Sequence, residues 1–338
     1  MRTGDKPFSG MSRLLVITMC MALAGAGVEA QEKPMKRAMG FRATTAEDAR
    51  KWQAECREKL FALMMGGGKP ARVPPDVKVL QRTDVPHANY ALEEITIQTL
   101  PDRRAHCWMA IPKSPKGRVG GILAIHGHGG SGEQVVKGEG LYWYGRHLAE
   151  RGYVVIAPDV ASHDLQHPDW TLMGERVWDC LCAVDYLASR PEVDPKRLAV
   201  CGLSLGGETT MYVGALDERL KVVCSSGWLT TVQNMKEIHC PCWNFPGLEE
   251  NFEFADIFAC TAPRYLICEN GEQEPAKGGF PVEIAKGAFQ EIRRAYRVFG
   301  AEDRLAHDIH PGGHIFSGRL FLQRLDETLV LTCVNPCW

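Results

Sequence analysis

The stretch "RLAVCGLSLGGETTMYV", residues 197–213, decides the fold prediction, because it joins a strand to a helix through a very tight turn. The apolar run before the turn predicts a buried strand, and the residues after it are compatible with a helix. One serine, Ser204, stands in the turn with Gly202 and Gly206 two positions away on either side. A Gly-x-Ser-x-Gly turn of this kind exposes the hydroxyl beside the helix N-terminus, which favours developing negative charge. We predict that Ser204 is a nucleophile; a merely structural glycine turn is the alternative.

The composition permits one large α/β domain or two smaller ones. The chain has 338 residues, of which 45% are hydrophobic and 24% are charged, as is usual for globular proteins. The net charge of −2 gives no reason to expect nucleic acid or an anionic membrane surface as a partner. No sequence feature calls for a cofactor, and none is predicted.

From residue 120 onward, continuous apolar runs alternate with helical stretches. The runs are "GGILAI", "YVVIAPDV", "RLAVCG", "KVVCSSG", "RYLICENG" and "RLAHDIH". Such runs predict strands buried on both faces, and their alternation with helices predicts an α/β fold with a doubly wound, mostly parallel sheet. Two earlier segments around the turn "PDRR" alternate apolar and polar residues, which predicts an antiparallel hairpin at the start of the sheet.

The chain divides into parts of different character. Residues 1–30 combine a basic start, an apolar run and small residues before Gln31. This order predicts a signal peptide and export to the periplasm or the extracellular space, and an uncleaved anchor is the alternative. Residues 31–90 predict an N-terminal helical extension, and residues 91–332 predict the α/β domain. Within it, residues 228–256 are rich in aromatic residues without clear periodicity. They predict a lid-like insertion, with an extra pair of structural helices as the alternative.

A serine nucleophile needs a base, and in this fold the base follows a later strand. His314 follows the Gly-Gly turn of "DIHPGGHIF" and is the predicted base. His310, at the end of the strand itself, is the runner-up. His307 lies within the strand and is predicted to be a core or surface histidine.

The base in turn needs an orienting carboxylate, which is predicted on the loop after the penultimate strand, "RYLICENGEQEP". Glu274 precedes a proline that biases it toward an extended conformation, and it is the predicted acid. Glu269 is the alternative because it ends the strand. Glu272, one residue past the glycine, is predicted to face solvent.

An oxyanion hole requires two backbone N–H groups near the nucleophile. We predict one from Leu205, directly after the serine, and one from the glycine-rich loop "HGHGG", at Gly127, His128 or Gly129. The side chains of His126 and His128 are predicted to make local loop bonds rather than to take part in catalysis.

The thirteen cysteines are scattered along the chain. Those within apolar strand-like runs, such as Cys201, Cys224 and Cys268, are predicted to be buried free thiols. The motif "HCPC", His239–Cys242, contains metal-ligating residue types, but no second half with matching spacing accompanies it. We therefore predict no metal site from the sequence.

Together, "HGHGG", "GLSLGG", "GEQEP" and "HPGGH" resemble motifs of the α/β-hydrolase superfamily. The similarity is closest to the acetyl xylan esterase and dienelactone hydrolase-like branch of exported bacterial esterases. The resemblance implies that Ser204 is the nucleophile, His314 the base and Glu274 the acid. It also implies that Leu205 and the 127–129 backbone donate to the oxyanion.

The resemblance covers residues 90–330 and has two departures. A glutamate replaces the commoner aspartate in the acid position. Leu205 follows the serine where glucuronoyl esterases usually carry arginine, which argues against a sugar-acid ester of that type.

These observations favour an exported serine carboxylesterase that forms an acyl-enzyme and acts on a small-molecule or carbohydrate ester. The tryptophans of the insertion favour a carbohydrate ester, because aromatic faces stack on sugars. The alternatives are a serine peptidase of the prolyl-oligopeptidase type, although no propeller-sized segment is present, and a non-catalytic binding protein that keeps the fold.

Overall fold

The computed structural model describes residues 37–237 and 239–329. The predicted signal peptide, residues 1–30, lies outside these described residues. In the described part, a nine-stranded sheet carries helices on both faces, in the strand order β1-β2-β3-β5-β4-β6-β7-β8-β9. The strands are β1 (Val77–Asp84), β2 (Tyr90–Leu100), β3 (Arg103–Pro112), β4 (Val119–Ile125), β5 (Val154–Pro158), β6 (Val193–Leu203), β7 (Leu220–Ser226), β8 (Tyr265–Gly271) and β9 (Leu305–His310).

The sheet has an antiparallel start and a parallel body. Strands β1, β2 and β3 pair antiparallel, and β3 meets β5 antiparallel. From β5 through β4, β6, β7 and β8 to β9, every pairing is parallel. The predicted α/β fold with its antiparallel start is therefore confirmed. All the carboxyl ends of the parallel strands meet at one edge, where such sheets bind ligands.

Helices cover the two faces unequally. The ten helices described are α1 (Ala46–Met64), α2 (Gly132–Lys137), α3 (Tyr144–Glu150), α4 (Leu172–Ser189), α5 (Leu205–Leu216), α6 (Val232–Met235), α7 (Leu248–Asn251), α8 (Phe254–Ala259), α9 (Val282–Val298) and α10 (Arg319–Leu329). Side chains of α2, α3 and α10 form one apolar layer, and those of α1 and α4 to α9 form the other. Successive residues of β4 alternate between the layers: Ile122 joins the first and Leu123 the second.

The segment predicted as a helical extension, residues 31–90, differs from the prediction in its second half. Helix α1 begins after Thr45, whose side chain accepts a hydrogen bond from the Asp48 amide and caps the helix. Strand β1, however, joins the sheet edge. Nearly all of its residues are exposed, including Val79 and Leu80 at 55%. It therefore lacks the apolar alternation that reveals a strand in a sequence.

Among the described residues, no helix is both long and apolar enough to cross a membrane.

Candidate active site

Ser204 stands in the turn between β6 and α5 with φ 62° and ψ −121°. A positive φ is uncommon for a residue with a side chain and marks local strain. The turn is held by two backbone bonds: the Ser204 amide donates to the Ser226 carbonyl at 2.9 Å, and the Glu208 amide donates to the Ser204 carbonyl at 2.9 Å. The second bond opens the first turn of α5, so the serine caps a helix N-terminus at the carboxyl edge of the sheet.

The glycines around the serine are required by close backbone approach. A Cβ on Gly206 would collide with the carbonyl oxygen of Ile125, and one on Gly202 would collide with the carbonyl oxygen of Gly206. A Cβ on Gly207 would meet the Ser226 carbonyl in the same way. The tight strand–helix packing inferred from the sequence motif is therefore present.

His314 follows β9 and forms a short contact with a carboxylate. Its Nδ1 lies 2.6 Å from Oε1 of Glu274. The Glu274 side chain is only 2% exposed, and its other oxygen accepts a hydrogen bond from the Phe280 amide at 3.3 Å. The His314 ring also stacks on Phe280, with centroids 5.4 Å apart. Because Nδ1 contacts Glu274, Nε2 is the ring nitrogen that can exchange a proton in the cavity that Ser204 and His314 both line.

The loops after β8 and β9 are joined by backbone bonds, and this places the carboxylate. The Glu272 amide donates to the His310 carbonyl at 2.9 Å, and the Gln273 amide donates to the Gly312 carbonyl at 3.0 Å. These bonds carry the first loop alongside the second, so Glu274 arrives beside the histidine.

The alternative acid, Glu269, has a different environment. It is fully buried in β8, and its oxygens accept hydrogen bonds from the amides of Ser317 at 3.0 Å and Gly318 at 2.8 Å. Burial raises its pKa to about 7 although these hydrogen bonds favour the charged form. Glu269 therefore holds the segment that follows His314, and it is Glu274 that contacts the ring.

The other two histidines of the β9 region have local partners. His310 is buried, and its Nδ1 accepts a hydrogen bond from the Gly312 amide at 3.3 Å. His307 bonds to Asn270 at 3.0 Å and stacks on Phe289.

The glycine-rich loop after β4 runs past the serine. A Cβ on Gly127 would lie 3.1 Å from Cβ of Ser204, which shows how near the two backbones are. The buried His126 ring lies 2.8 Å from the Gly127 carbonyl and accepts from the Val160 amide at 3.0 Å. These are the local loop bonds expected for His126. They fix the loop at Gly127, and Leu205 opens α5 on the other side of the serine.

A cavity of about 290 Å³ lies in front of Ser204 and His314. Its apolar wall comes from Trp228, Met235, Trp243 and Phe280, and its polar wall includes Glu208. The volume is at the small end of the range for ligand pockets.

Glu208 was not among the predicted site residues. It is fully buried, and neither of its carboxylate oxygens has a hydrogen-bond partner in the described structure. Burial raises its pKa well above the ordinary value, which favours the neutral acid. Helix α5, "LGGETTMYVGAL", contains no other charged residue, and this is the sequence signal that could have identified Glu208.

The insertion at residues 228–256 forms α6, α7, a turn of 3₁₀ helix at Pro241–Trp243 and the start of α8. Its large aromatic side chains are all buried, at 0–4% exposure: Trp228, Trp243, Phe245, Phe252 and Phe254. The two tryptophans line the cavity as well. The segment is therefore a packed wall of the candidate site, built from short helices.

A second group of side chains meets at the rim of the cavity: His128, His163, Cys240 and Cys242, whose N and S atoms all lie within 4.8 Å of one another. The His128 and Cys242 side chains are 3.0 Å apart, and those of His163 and Cys240 are 3.3 Å apart. The motif "HCPC" pointed to the cysteines, but the histidines come from two other loops. His239 of the motif packs on Phe280 instead.

The cysteines within strands are buried and free, as predicted for Cys201, Cys224 and Cys268. In the part of the chain that the structure describes, no two cysteines form a disulfide.

Comparison with known proteins identifies this architecture. Residues 106–253 match the sequence profile of the dienelactone hydrolase family. The "putative hydrolase YtaP" of Bacillus subtilis (strain 168) is 28% identical in an alignment of 281 positions that covers 74% of this chain and 90% of that protein.

Solved structures share the fold over most of the chain. A "putative acetyl xylan esterase" from Bacteroides fragilis NCTC 9343 has a TM-score of 0.72 at 19% identity and covers 87% of this chain and 92% of its own. A glucuronoyl esterase from Solibacter usitatus has a TM-score of 0.66 at 15% identity and covers 86% and 95%. Over residues 106–253 the chain is therefore similar to the dienelactone hydrolase family, its fold is that of the α/β-hydrolase neighbours, and the comparisons together support a carboxylic ester hydrolase.

Proposed function

We propose that this hydrolase works as a serine esterase through Ser204, His314 and Glu274. The observation that carries the proposal is the 2.6 Å contact of His314 Nδ1 with a buried Glu274 oxygen, beside a cavity that Ser204 also lines. A carboxylate in this position holds the imidazole in the tautomer that presents Nε2 as a base. The turn between β6 and α5 supports the same assignment, because its strained backbone exposes the serine at a helix N-terminus.

The reaction follows from these positions. Ser204 Oγ attacks the ester carbonyl carbon while His314 Nε2 takes the hydroxyl proton, and Glu274 stabilises the imidazolium. Amides of Leu205 and of the 127–129 loop stabilise the oxyanion. The tetrahedral intermediate collapses as the histidine returns the proton to the leaving alcohol. Water then attacks the acyl-enzyme by the same steps, which releases the carboxylic acid and the free serine.

For the substrate we propose a short-acyl ester carried on a carbohydrate. The cavity of about 290 Å³ suits a small acyl group. The named activities of the structural neighbours, an acetyl xylan esterase and a glucuronoyl esterase, support an ester of this class. Leu205 follows the serine in place of the arginine usual in glucuronoyl esterases, which favours an acetyl-type ester over a glucuronoyl ester.

Covalent labelling tests the nucleophile. A fluorophosphonate probe is expected to label wild-type protein at Ser204, with no labelling of a folded Ser204→Ala variant. Absence of labelling on folded wild-type protein would instead support a binding protein that keeps the fold. Assays with acetyl, butyryl, feruloyl and methyl-glucuronoyl esters, and with a prolyl peptide, then identify the substrate. Faster turnover of the peptide than of every ester would overturn the esterase proposal in favour of a peptidase.

We further propose export, on the strength of the basic, apolar and small-residue order of residues 1–30. N-terminal sequencing of protein expressed with its leader is expected to start at or within a few residues of Gln31. A soluble product that starts at Met1 or Met11 would contradict this.

A further inference from the structure

We propose that His128, His163, Cys240 and Cys242 form a zinc site at the rim of the cavity. Two imidazoles and two thiols are a common ligand set of structural zinc. Their ligand atoms already lie within 4.8 Å of one another, and two of the pairs are at 3.0 and 3.3 Å.

The spacing can be compared with what tetrahedral zinc requires. Zn–S bonds of about 2.3 Å and Zn–N bonds of about 2.0–2.1 Å place neighbouring ligand atoms roughly 3.3–3.8 Å apart. The two short pairs are close to this range, and the widest separation, 4.8 Å, needs a contraction of only about 1 Å. Three of the four residues are exposed and Cys242 is half-buried, so an ion can enter from solvent and side-chain rotation can close the tetrahedron.

A buried arginine supplies an independent observation. Arg176 is 3% exposed, and its Nε and Nη1 have no hydrogen-bond partner in the described structure. Its charge acts on the Cys242 thiol, which places the guanidinium near this ligand. Metal-bound thiolates commonly have positively charged or hydrogen-bonding neighbours of this kind. Binding of Zn²⁺ displaces one proton from each thiol, so two thiolates neutralise the ion's two charges and two protons go to solvent.

The site would link three segments that are far apart in the sequence. His128 belongs to the glycine-rich loop, His163 follows β5, and Cys240 and Cys242 flank Pro241 in the insertion. Four protein ligands leave no open position, so the ion would be structural. It would hold the insertion against the loop that carries the proposed oxyanion donors, independently of what the enzyme hydrolyses.

Metal titration of the full-length chain, purified with reductant and stripped with a chelator, tests the proposal. About one equivalent of Zn²⁺ is expected to bind with a Kd below about 1 µM and to raise the Tm. Co²⁺ is expected to give the visible bands of a tetrahedral ion and a near-ultraviolet thiolate-to-cobalt band. The Cys240→Ser/Cys242→Ser and His163→Asn variants should lose the zinc binding and the cobalt bands. The His239→Asn variant, which changes a neighbour outside the cluster, should keep the zinc binding and the cobalt bands.

Circular dichroism of each variant separates loss of metal from loss of fold. If a variant does not fold, the wild-type cobalt spectrum decides by itself. A folded wild-type protein without the thiolate band would overturn the proposal. So would a disulfide between Cys240 and Cys242 found by mass spectrometry in protein recovered from the exported fraction, because it would use both sulfurs.

Discussion

Glu269 and Glu274 stand five residues apart, one in strand β8 and the other on the loop that follows it, yet they meet different partners. Glu269 is fully buried and accepts hydrogen bonds from the Ser317 and Gly318 amides. Glu274 contacts His314 at 2.6 Å and faces the cavity. Both carboxylates serve the segment after β9: the first holds its backbone, and the second holds its histidine.

The difference comes from the backbone that carries each side chain. In a strand, successive side chains alternate between the faces of the sheet, so Glu269 has its direction set by the pleat. After Gly271 the chain leaves the strand and follows the neighbouring loop through two backbone bonds. Loop residues can aim a side chain across the strand ends, which is why the ends of strands so often carry catalytic groups. Substitutions of Ser204, Glu274 and Glu269 test this division between a structural and a functional carboxylate.

The largest effect is expected at Ser204, the proposed nucleophile. Ser204→Ala should lower kcat for ester hydrolysis by about 10⁴-fold or more, because the acyl-enzyme can no longer form. The Tm should change little, since the turn is held by backbone bonds that alanine retains. Steady-state kinetics and a thermal melt measure both. Turnover at the wild-type rate in a clean preparation would show that Ser204 is not the nucleophile.

A smaller loss is expected at Glu274, the proposed triad acid. Glu274→Gln should lower kcat by roughly 10²–10⁴-fold, because the amide cannot stabilise the imidazolium and can present the ring in the wrong tautomer. Glu272→Gln is the matched control on the same loop and should be nearly silent. If Glu269→Gln lowers kcat in this way and Glu274→Gln does not, the two roles are exchanged. If all three variants keep their activity, the carboxylate comes from elsewhere, and Glu249 and Glu250 in the insertion are tested next.

The same contrast shows how far the sequence alone could go. The Gly-x-Ser-x-Gly turn is a local structure, so the glycines around Ser204 predicted its geometry directly. The continuous apolar runs likewise predicted the parallel sheet, because strands buried on both faces need no alternation. The two glutamates stayed open as candidates, because the position of Glu274 depends on backbone bonds to residues about forty positions later in the chain.

Three features were not predicted, because their residues are polar or lie far apart in the sequence. Strand β1 has no buried residue, so a pattern of buried apolar residues could not reveal it. Glu208 gave no motif, only an isolated charge in an apolar helix. The cluster at the cavity rim joins His128 to Cys242 across 114 positions, and only the fold brings them together.

The smallest effect, on stability alone, is expected at the structural carboxylate. Burial raises the pKa of Glu269 from its ordinary 4.5 to about 7, so between these values the folded state keeps a proton that the unfolded state releases. The contribution to stability is complete below about pH 4.5 and is lost as the pH rises through about 7, by on the order of 3 kcal/mol. Denaturant unfolding of the Ser204→Ala protein at pH 5 and pH 8 gives the reference slope, which is the change in the free energy of unfolding with pH while Glu269 is intact.

Adding Glu269→Gln to this background should flatten the slope, because glutamine has no proton to lose. It should also cost stability at pH 5, by about 1–3 kcal/mol, since its amide group cannot accept from both the Ser317 and Gly318 amides. In otherwise wild-type protein the same substitution should change kcat by less than about threefold, since His314 keeps its own carboxylate. Glu272→Gln, as control, should leave the slope unchanged. A slope equally steep with and without Glu269 would mean that other groups carry the pH dependence, and the structural role assigned to this carboxylate would then rest on its hydrogen bonds alone.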